Sequence, residues 1–146
     1  MFQGSNLINL DAKGRIAIPT KVREQLAEKC DGRIVITANT QERCLKIFTF
    51  PQWEDIMHQL NKLPAFNRAA QRTKRIMIGY ASEMEIDGNG RILLSQTLRE
   101  YAGLEKKVML VGQIDSLELW SEDAWNEWLN QPCEDEIPEE MNNLIF

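Results

Sequence analysis

The sequence predicts an α+β fold built from two diverged copies of one supersecondary unit, and three observations carry this. First, aligning Leu10–Leu26 with Ile86–Ala102 at an offset of 76 gives six identities in 17 positions, where unrelated sequences share about one. Second, at an offset of 72, "CLKIFTFPQW" (Cys44–Trp53) pairs with "SLELWSEDAW" (Ser116–Trp125). Third, each copy repeats the same order: alternating residues around a turn, a short helical stretch, two β-branched and aromatic runs, and a second helical stretch. The four-residue shift between the two offsets implies a longer hairpin loop in the first copy, around "TANTQER".

The elements follow in chain order. Leu7 and Asn9, then Arg15 and Ala17, alternate on either side of an Asp-x-x-Gly turn and predict two short strands. Asp11 with Gly14, and Asp87 with Gly90, suit a type I turn: the carboxylate accepts from a backbone N–H and glycine tolerates a positive φ. These four residues are read as turn braces. Pro19 suits a first helical position, ahead of an apolar face made by Val22, Leu26 and Ala27. Ser95 caps the matching helix, whose Leu98 and Ala102 face inward. "RIVIT" with "LKIFTF", and "KVMLVG" with "LELW", read as half-buried hairpins. Thr49 and Gln52 form a capping-box pattern ahead of Trp53, Ile56, Met57 and Leu60, and Ser121 opens the equivalent helix carrying Ala124, Trp125 and Trp128. Its tryptophans are expected to be core or interface anchors.

Between the copies, Phe66, Ala69, Ala70, Thr73, Ile76 and Met77 form an apolar stripe, with Arg68, Arg72 and Arg75 on another face. This pattern predicts a connecting helix. The expected organisation is therefore a first motif over 1–62, the connecting helix over 63–79, a second motif over 80–130 and a tail over 131–146. The tail is acidic, with "CEDEIPEE" before an apolar "MNNLIF", and is expected to be poorly ordered.

A chain of 146 residues, 43% apolar and 27% charged, can bury one domain core, or one shared by two half-domains. No apolar run reaches the roughly 18 residues of a membrane span, and the start has no signal-like pattern. A cytoplasmic protein with no membrane partner is expected. Cys30, Cys44 and Cys133 are scattered and odd in number, and His58 is the single histidine. Disulfides, a metal and a cofactor are therefore not expected. Nor is there a Gly-rich phosphate loop or a Ser/Cys–His pair, so neither catalysis nor a small-molecule substrate is expected. Charge is split by halves: residues 1–80 hold 13 Lys+Arg against 7 Asp+Glu, and residues 81–146 hold 4 against 15. A basic half that can face phosphate is thus joined to an acidic half that must face elsewhere.

Two copies of strand, Asp-x-x-Gly-Arg turn, strand and helix, with "MFQG" at the start and "GYASEMEIDGNGR" before the second turn, resemble the MraZ family of bacterial transcriptional regulators. That family lies within the AbrB/SpoVT group of swapped-hairpin DNA-binding proteins. The resemblance covers residues 1 to about 130. It implies a duplicated AbrB/SpoVT-type swapped-hairpin β-barrel motif with short helices and a pseudo-twofold axis within one chain. It also implies a homo-oligomer closed into a ring at the nucleoid. Such a ring would bind G-rich direct repeats in double-stranded promoter DNA and repress its own cell division and cell wall operon.

On that reading, Arg15 stands at the turn with a guanidinium able to fork onto O6 and N7 of guanine. Lys13 at the tip, and Lys21 and Arg23 on the following helix, add positive charge suited to phosphate. Arg91 repeats Arg15, but Asn89 replaces Lys13 in the second turn, so the first copy is expected to be the main reader. Glu24 and Glu100 are expected to be ion-pair partners within or between copies. The alternative reading is a non-catalytic interaction ring or antitoxin-like partner binder in which the turns only join strands.

Overall fold

A computed structural model describes residues 1–146. The first copy contains β1 (Ser5–Asn9), β2 (Arg15–Ala17), α1 (Thr20–Cys30), β3 (Arg33–Ala38), β4 (Leu45–Thr49) and α2 (Phe50–Asn61). After the connecting helix α3 (Arg68–Gly79), the second contains β5 (Ser82–Glu85), β6 (Arg91–Leu93), α4 (Gln96–Ala102), β7 (Lys107–Gly112), β8 (Leu117–Ser121) and α5 (Glu122–Asn130). A short 3₁₀ turn, Glu139–Asn143, lies in the tail. The fold is α+β, and no helix is long and apolar enough to cross a membrane.

Six strands form one antiparallel sheet in the order β1-β7-β8-β4-β3-β5. At its centre β4 pairs with β8, with Leu45 opposite Leu119 and Lys46 opposite Glu118. The pseudo-twofold axis runs between these two strands. Outward from the centre, each copy completes the other: β1 pairs with β7 of the second copy, and β5 pairs with β3 of the first. The strands after the two turns exchange as well, β2 with β6, forming a separate two-stranded ribbon. After the isolated bridge Leu10–Ile16 at the first turn, β1 and β2 therefore diverge to different partners.

One core binds the two copies. Ile16, Leu26, Ile34 and Leu45 of the first lie in the same buried cluster as Ile92, Leu98, Val108 and Leu119 of the second. Each such side chain contributes about 1.5–3 kcal/mol by leaving water, so a half folded alone would expose much of this surface.

The two turns lock the exchange. Leu94 donates its N–H to the Gly14 carbonyl and Ile18 donates to the Gly90 carbonyl, both at 2.8 Å. The helix arginines also cross over. A Cβ at Gly14 would lie 2.8 Å from the Leu94 carbonyl oxygen and 3.0 Å from Arg99 Nε, and one at Gly90 would collide with the Arg23 guanidinium. Each arginine thus fills the space left by the other copy's turn glycine.

Local expectations are met with four departures. Ser95, Ser121 and Thr49 accept from Leu98, Ala124 and Gln52 N–H groups as caps, but Gln52 Oε1 is buried without a partner, so the reciprocal half of the capping box is not formed. Pro19 is the residue before α1 rather than its first, and Ala27 is exposed while Val22 and Leu26 are buried. β4 and β8 are related by an offset of 72, but β3 and β7 by 74. The hairpin loop thus absorbs only half of the four-residue shift. The other half falls at the helix-to-strand junction, where α1 has 11 residues against 7 in α4.

The copies differ most on the outer face of the sheet. Over Val35, Phe48 and Trp53, Met77 and Ala81 pack at the end of α3, and Thr37 donates its hydroxyl to the Met77 carbonyl. The matching surface of Cys44, Val111 and Trp120, flanked by Met109 and Trp125, has no such helix over it. Leu7, Trp128 and Leu129 remain 46%, 42% and 55% exposed on that half.

Gly90→Ala is expected to destabilise the protein by about 2 kcal/mol or more in denaturant unfolding, because φ is +73° and the site is filled by Arg23. Gly88→Ala, in open space at ordinary φ, should change stability by less than about 0.5 kcal/mol.

Candidate nucleic-acid interface

Each turn is a type I turn followed by a left-handed glycine, which returns the chain after three loop residues. In the first, Gly14 N–H donates to the Asp11 carbonyl and Asp11 N–H to the Arg15 carbonyl, both at 3.0 Å, with φ +87° at Gly14. The Asp11 carboxylate organises the rest. Its Oδ1 accepts from the N–H groups of Lys13 and Arg15 at 2.9 Å, and its Oδ2 accepts from Arg15 Nε at 2.8 Å. Asp11 takes the guanidinium by Nε, and neither terminal nitrogen of Arg15 makes a hydrogen bond within the chain. Their edge is the one that forks onto a guanine or a phosphate.

The second turn repeats the backbone but not the side-chain grip. Asp87 Oδ1 accepts from Asn89 and Arg91 N–H at 2.8 and 2.9 Å, whereas Arg91 Nε stands 3.9 Å from Oδ2 and is buried without a hydrogen-bond partner. Backbone N–H donation, from Arg15 to Asp11 and from Arg91 to Asp87, is the main cause holding both carboxyls below the usual carboxylate range. The positive charge of Arg15 also lowers Asp87, which places the two turns within each other's field.

The ribbon register puts the two arginines on one surface. Arg15 lies opposite Leu93 and Ala17 opposite Arg91, while the central pair Ile16–Ile92 points into the core. Side chains alternate between faces along a strand. Arg15, Ala17, Arg91 and Leu93 therefore share the outer face.

Around this face the remaining expected residues divide. Lys13 is exposed at the turn tip and Lys21 is exposed in the first turn of α1. Arg23 is half-buried, donating from Nη2 to Thr20 Oγ1 at 3.0 Å, with Nε unpartnered and the rest of its head against Gly90. Its position ties it to the second turn. Arg99 plays the matching part for Gly14 and donates from Nε to the Leu94 carbonyl at 3.1 Å. Sequence reasoning left Arg99 out of the site, although its identity with Arg23 in the repeat alignment was the available signal. The expected ion pairs of Glu24 and Glu100 are not formed within the chain: Glu100 instead accepts from Gln96 Nε2 at 2.8 Å, four residues back on the same helix.

Beside the first turn lies an open depression of about 1040 Å³, bordered by Asp11, Arg99, Lys106, Lys107, Glu122 and Asp123. Its charges are mixed, which suits neither a phosphate cradle nor a paired acid–base site. The buried Cys44 thiol is pushed up to about 12 by desolvation and is no nucleophile at neutral pH.

Comparison with known proteins adds an independent line. A family model described as "MraZ protein, putative antitoxin-like" matches twice, over residues 1–76 and 77–143. A relative from Saccharophagus degradans called "Transcriptional regulator MraZ" is 52% identical over 145 residues, covering 99% of both chains. One of the same name from Marinobacter nauticus is 52% identical over 145 residues, covering 98% of this chain and 97% of its own. A third, from Coxiella burnetii, is 48% identical over 150 aligned residues, covering 99% of both.

The turn carboxylates set a pH window. Because their folded values are depressed, the stability they add is complete above the unfolded value of about 3.9 and is lost as pH falls through the folded values. Carboxyl-carbon NMR titration should give midpoints below about 3.9 for Asp11 and Asp87, with Gly14 and Gly90 amide shifts constant from pH 5 to 8. Ordinary midpoints would contradict the carboxylate grip.

Proposed function

Since the chain belongs to the MraZ family, whose close relatives are named transcriptional regulators, we propose that it regulates transcription by binding double-stranded DNA through the ribbon that carries both turns. This role is regulatory and not enzymatic. The observation that carries the reading is the outer face of β2 and β6, where Arg15 and Arg91 stand together and Asp11 grips Arg15 by Nε alone. A two-stranded ribbon fits the major groove of B-DNA, and the free edge of Arg15 matches O6 and N7 of guanine. Lys13 and Lys21, exposed beside it, reach phosphates and set register. Arg23 and Arg99 support the turns from behind.

The finer reading is an autorepressor at the nucleoid that recognises G-rich direct repeats upstream of its own cell division and cell wall operon. A closed homo-oligomeric ring suits such repeats, because several weak turn contacts then act at high effective concentration. Two features support the ring. The outer face of the second half, where Trp125 and Trp128 of α5 pack on Trp120, leaves Leu7, Trp128 and Leu129 partly exposed, apolar surface that favours partner contact. The halves also carry opposite net charge, which favours head-to-tail contacts, and a head-to-tail contact whose rotation closes makes a ring.

Two tests follow. In a salt series on the DNA upstream of the gene, Arg15→Ala should weaken repeat-specific binding about tenfold or more. Arg91→Ala should weaken it less, and Lys13→Ala should lower affinity for all sequences while reducing the salt slope by about one unit. No preference of the parent protein for repeats over scrambled DNA would turn the reading toward a partner-binding ring. Separately, light scattering should show Trp128→Glu with Leu129→Glu as a smaller species with an unchanged circular dichroism spectrum. An unchanged mass would remove that face from the subunit contact.

A further inference from the structure

We propose that Leu93 reads the C5-methyl group of a thymine adjacent to the guanine held by Arg15, making it a specificity-determining residue of the ribbon. The inference rests on the DNA-binding reading above and adds a second base to it.

Leu93 is 58% exposed on the face that carries Arg15 and Arg91. Its chain neighbours show that this is no fraying of the strand end: Ile92 and Leu94 are 3% and 0% exposed, so the alternation is intact and Leu93 is held outward. It lies directly opposite Arg15 in the β2–β6 register, and paired side chains on one sheet face have Cβ atoms about 4.5–5.5 Å apart. That spacing is about one and a half times the rise of about 3.4 Å between successive base pairs, within reach of an adjacent step. When Arg15 holds a guanine, Leu93 therefore faces the neighbouring step. The thymine C5-methyl is the apolar group on the major-groove edges of the four standard bases, and aliphatic side chains recognise it by contact.

The pseudo-twofold axis gives the contact a direction. Opposite Arg91 stands Ala17, not a second leucine. Arg15 has an aliphatic partner long enough to reach a methyl group and Arg91 has a short one. The ribbon thus presents an asymmetric pair of readers, guanine plus thymine on one flank and a lone arginine on the other.

The test uses the full-length protein and three duplexes: its own promoter region, the same duplex with deoxyuridine replacing every thymidine, and a scrambled sequence. The parent protein should prefer the promoter to the scrambled duplex and bind the deoxyuridine duplex about fourfold more weakly per contacted methyl. Leu93→Ala should bind the thymidine and deoxyuridine duplexes alike, near the parent's affinity for the latter and with the parent's oligomeric mass. Leu93→Met should keep most of the preference. Equal parental affinity for the thymidine and deoxyuridine duplexes, with the preference over scrambled DNA intact, would overturn the Leu93 assignment and leave the DNA reading standing. So would a thymidine preference that survives in Leu93→Ala, or a Leu93→Ala protein whose oligomeric mass has changed. Loss of preference over scrambled DNA in the parent would overturn both.

Discussion

The structure depends on an exchange: the strand after each turn pairs with its counterpart from the other copy, and each helix arginine fills the space over the other copy's turn glycine. Ile16 and Ile92 face inward from the centre of that ribbon. The Gly14 and Gly90 carbonyls are held by Leu94 and Ile18. Neither copy has room for a side chain at its glycine, because the Leu94 carbonyl and Arg99 lie over Gly14 and Arg23 lies over Gly90. The two arginines on the outer face are consequently fixed relative to each other by the core itself.

Much of this was legible in the sequence, and the part that was not has a physical explanation. The duplication, the turn type and the serine caps depend on residues close together in the chain, and Asp11, Gly14 and Ser95 signal them by side-chain chemistry alone. Exchange carries no such local signal. β1 and β2 look like the arms of one hairpin; the family resemblance implied a swap, but the residues alone do not signal it, and the pairing of Arg15 with Leu93 and of Leu7 with Met109 shows which partner each arm takes. The roles of Arg23 and Arg99 were hidden for the same reason, since a half-buried arginine on a short helix reads as surface charge until the opposing glycine is in place. The shared offset shift and the unpaired Glu24 were misjudged because a gap between repeats does not state where its residues fall, and charge spacing does not state which partner is in reach.

Duplication followed by divergence accounts for the differences between the two turns. The backbone of the two turns is nearly the same, yet Asp11 grips Arg15 at 2.8 Å while Asp87 stands 3.9 Å from Arg91. Lys13 has become Asn89 in the second turn, Ala17 has become Leu93, and the helix that covers one outer face has no counterpart on the other. Fused in one chain, two once-equivalent units are free to diverge independently. The surplus of acid lies in residues 81–146, the half whose turn carries Asn89 where the first carries Lys13.

The most direct test of the central claim is a crystal structure of the protein bound to a duplex from its own promoter. The account predicts the outer face of the β2–β6 ribbon in the major groove, with the terminal nitrogens of Arg15 on O6 and N7 of a guanine and Nε still held by Asp11. A duplex seated on another basic surface, such as the Arg68, Arg72 and Arg75 face of α3, with both turns clear of DNA, would contradict it.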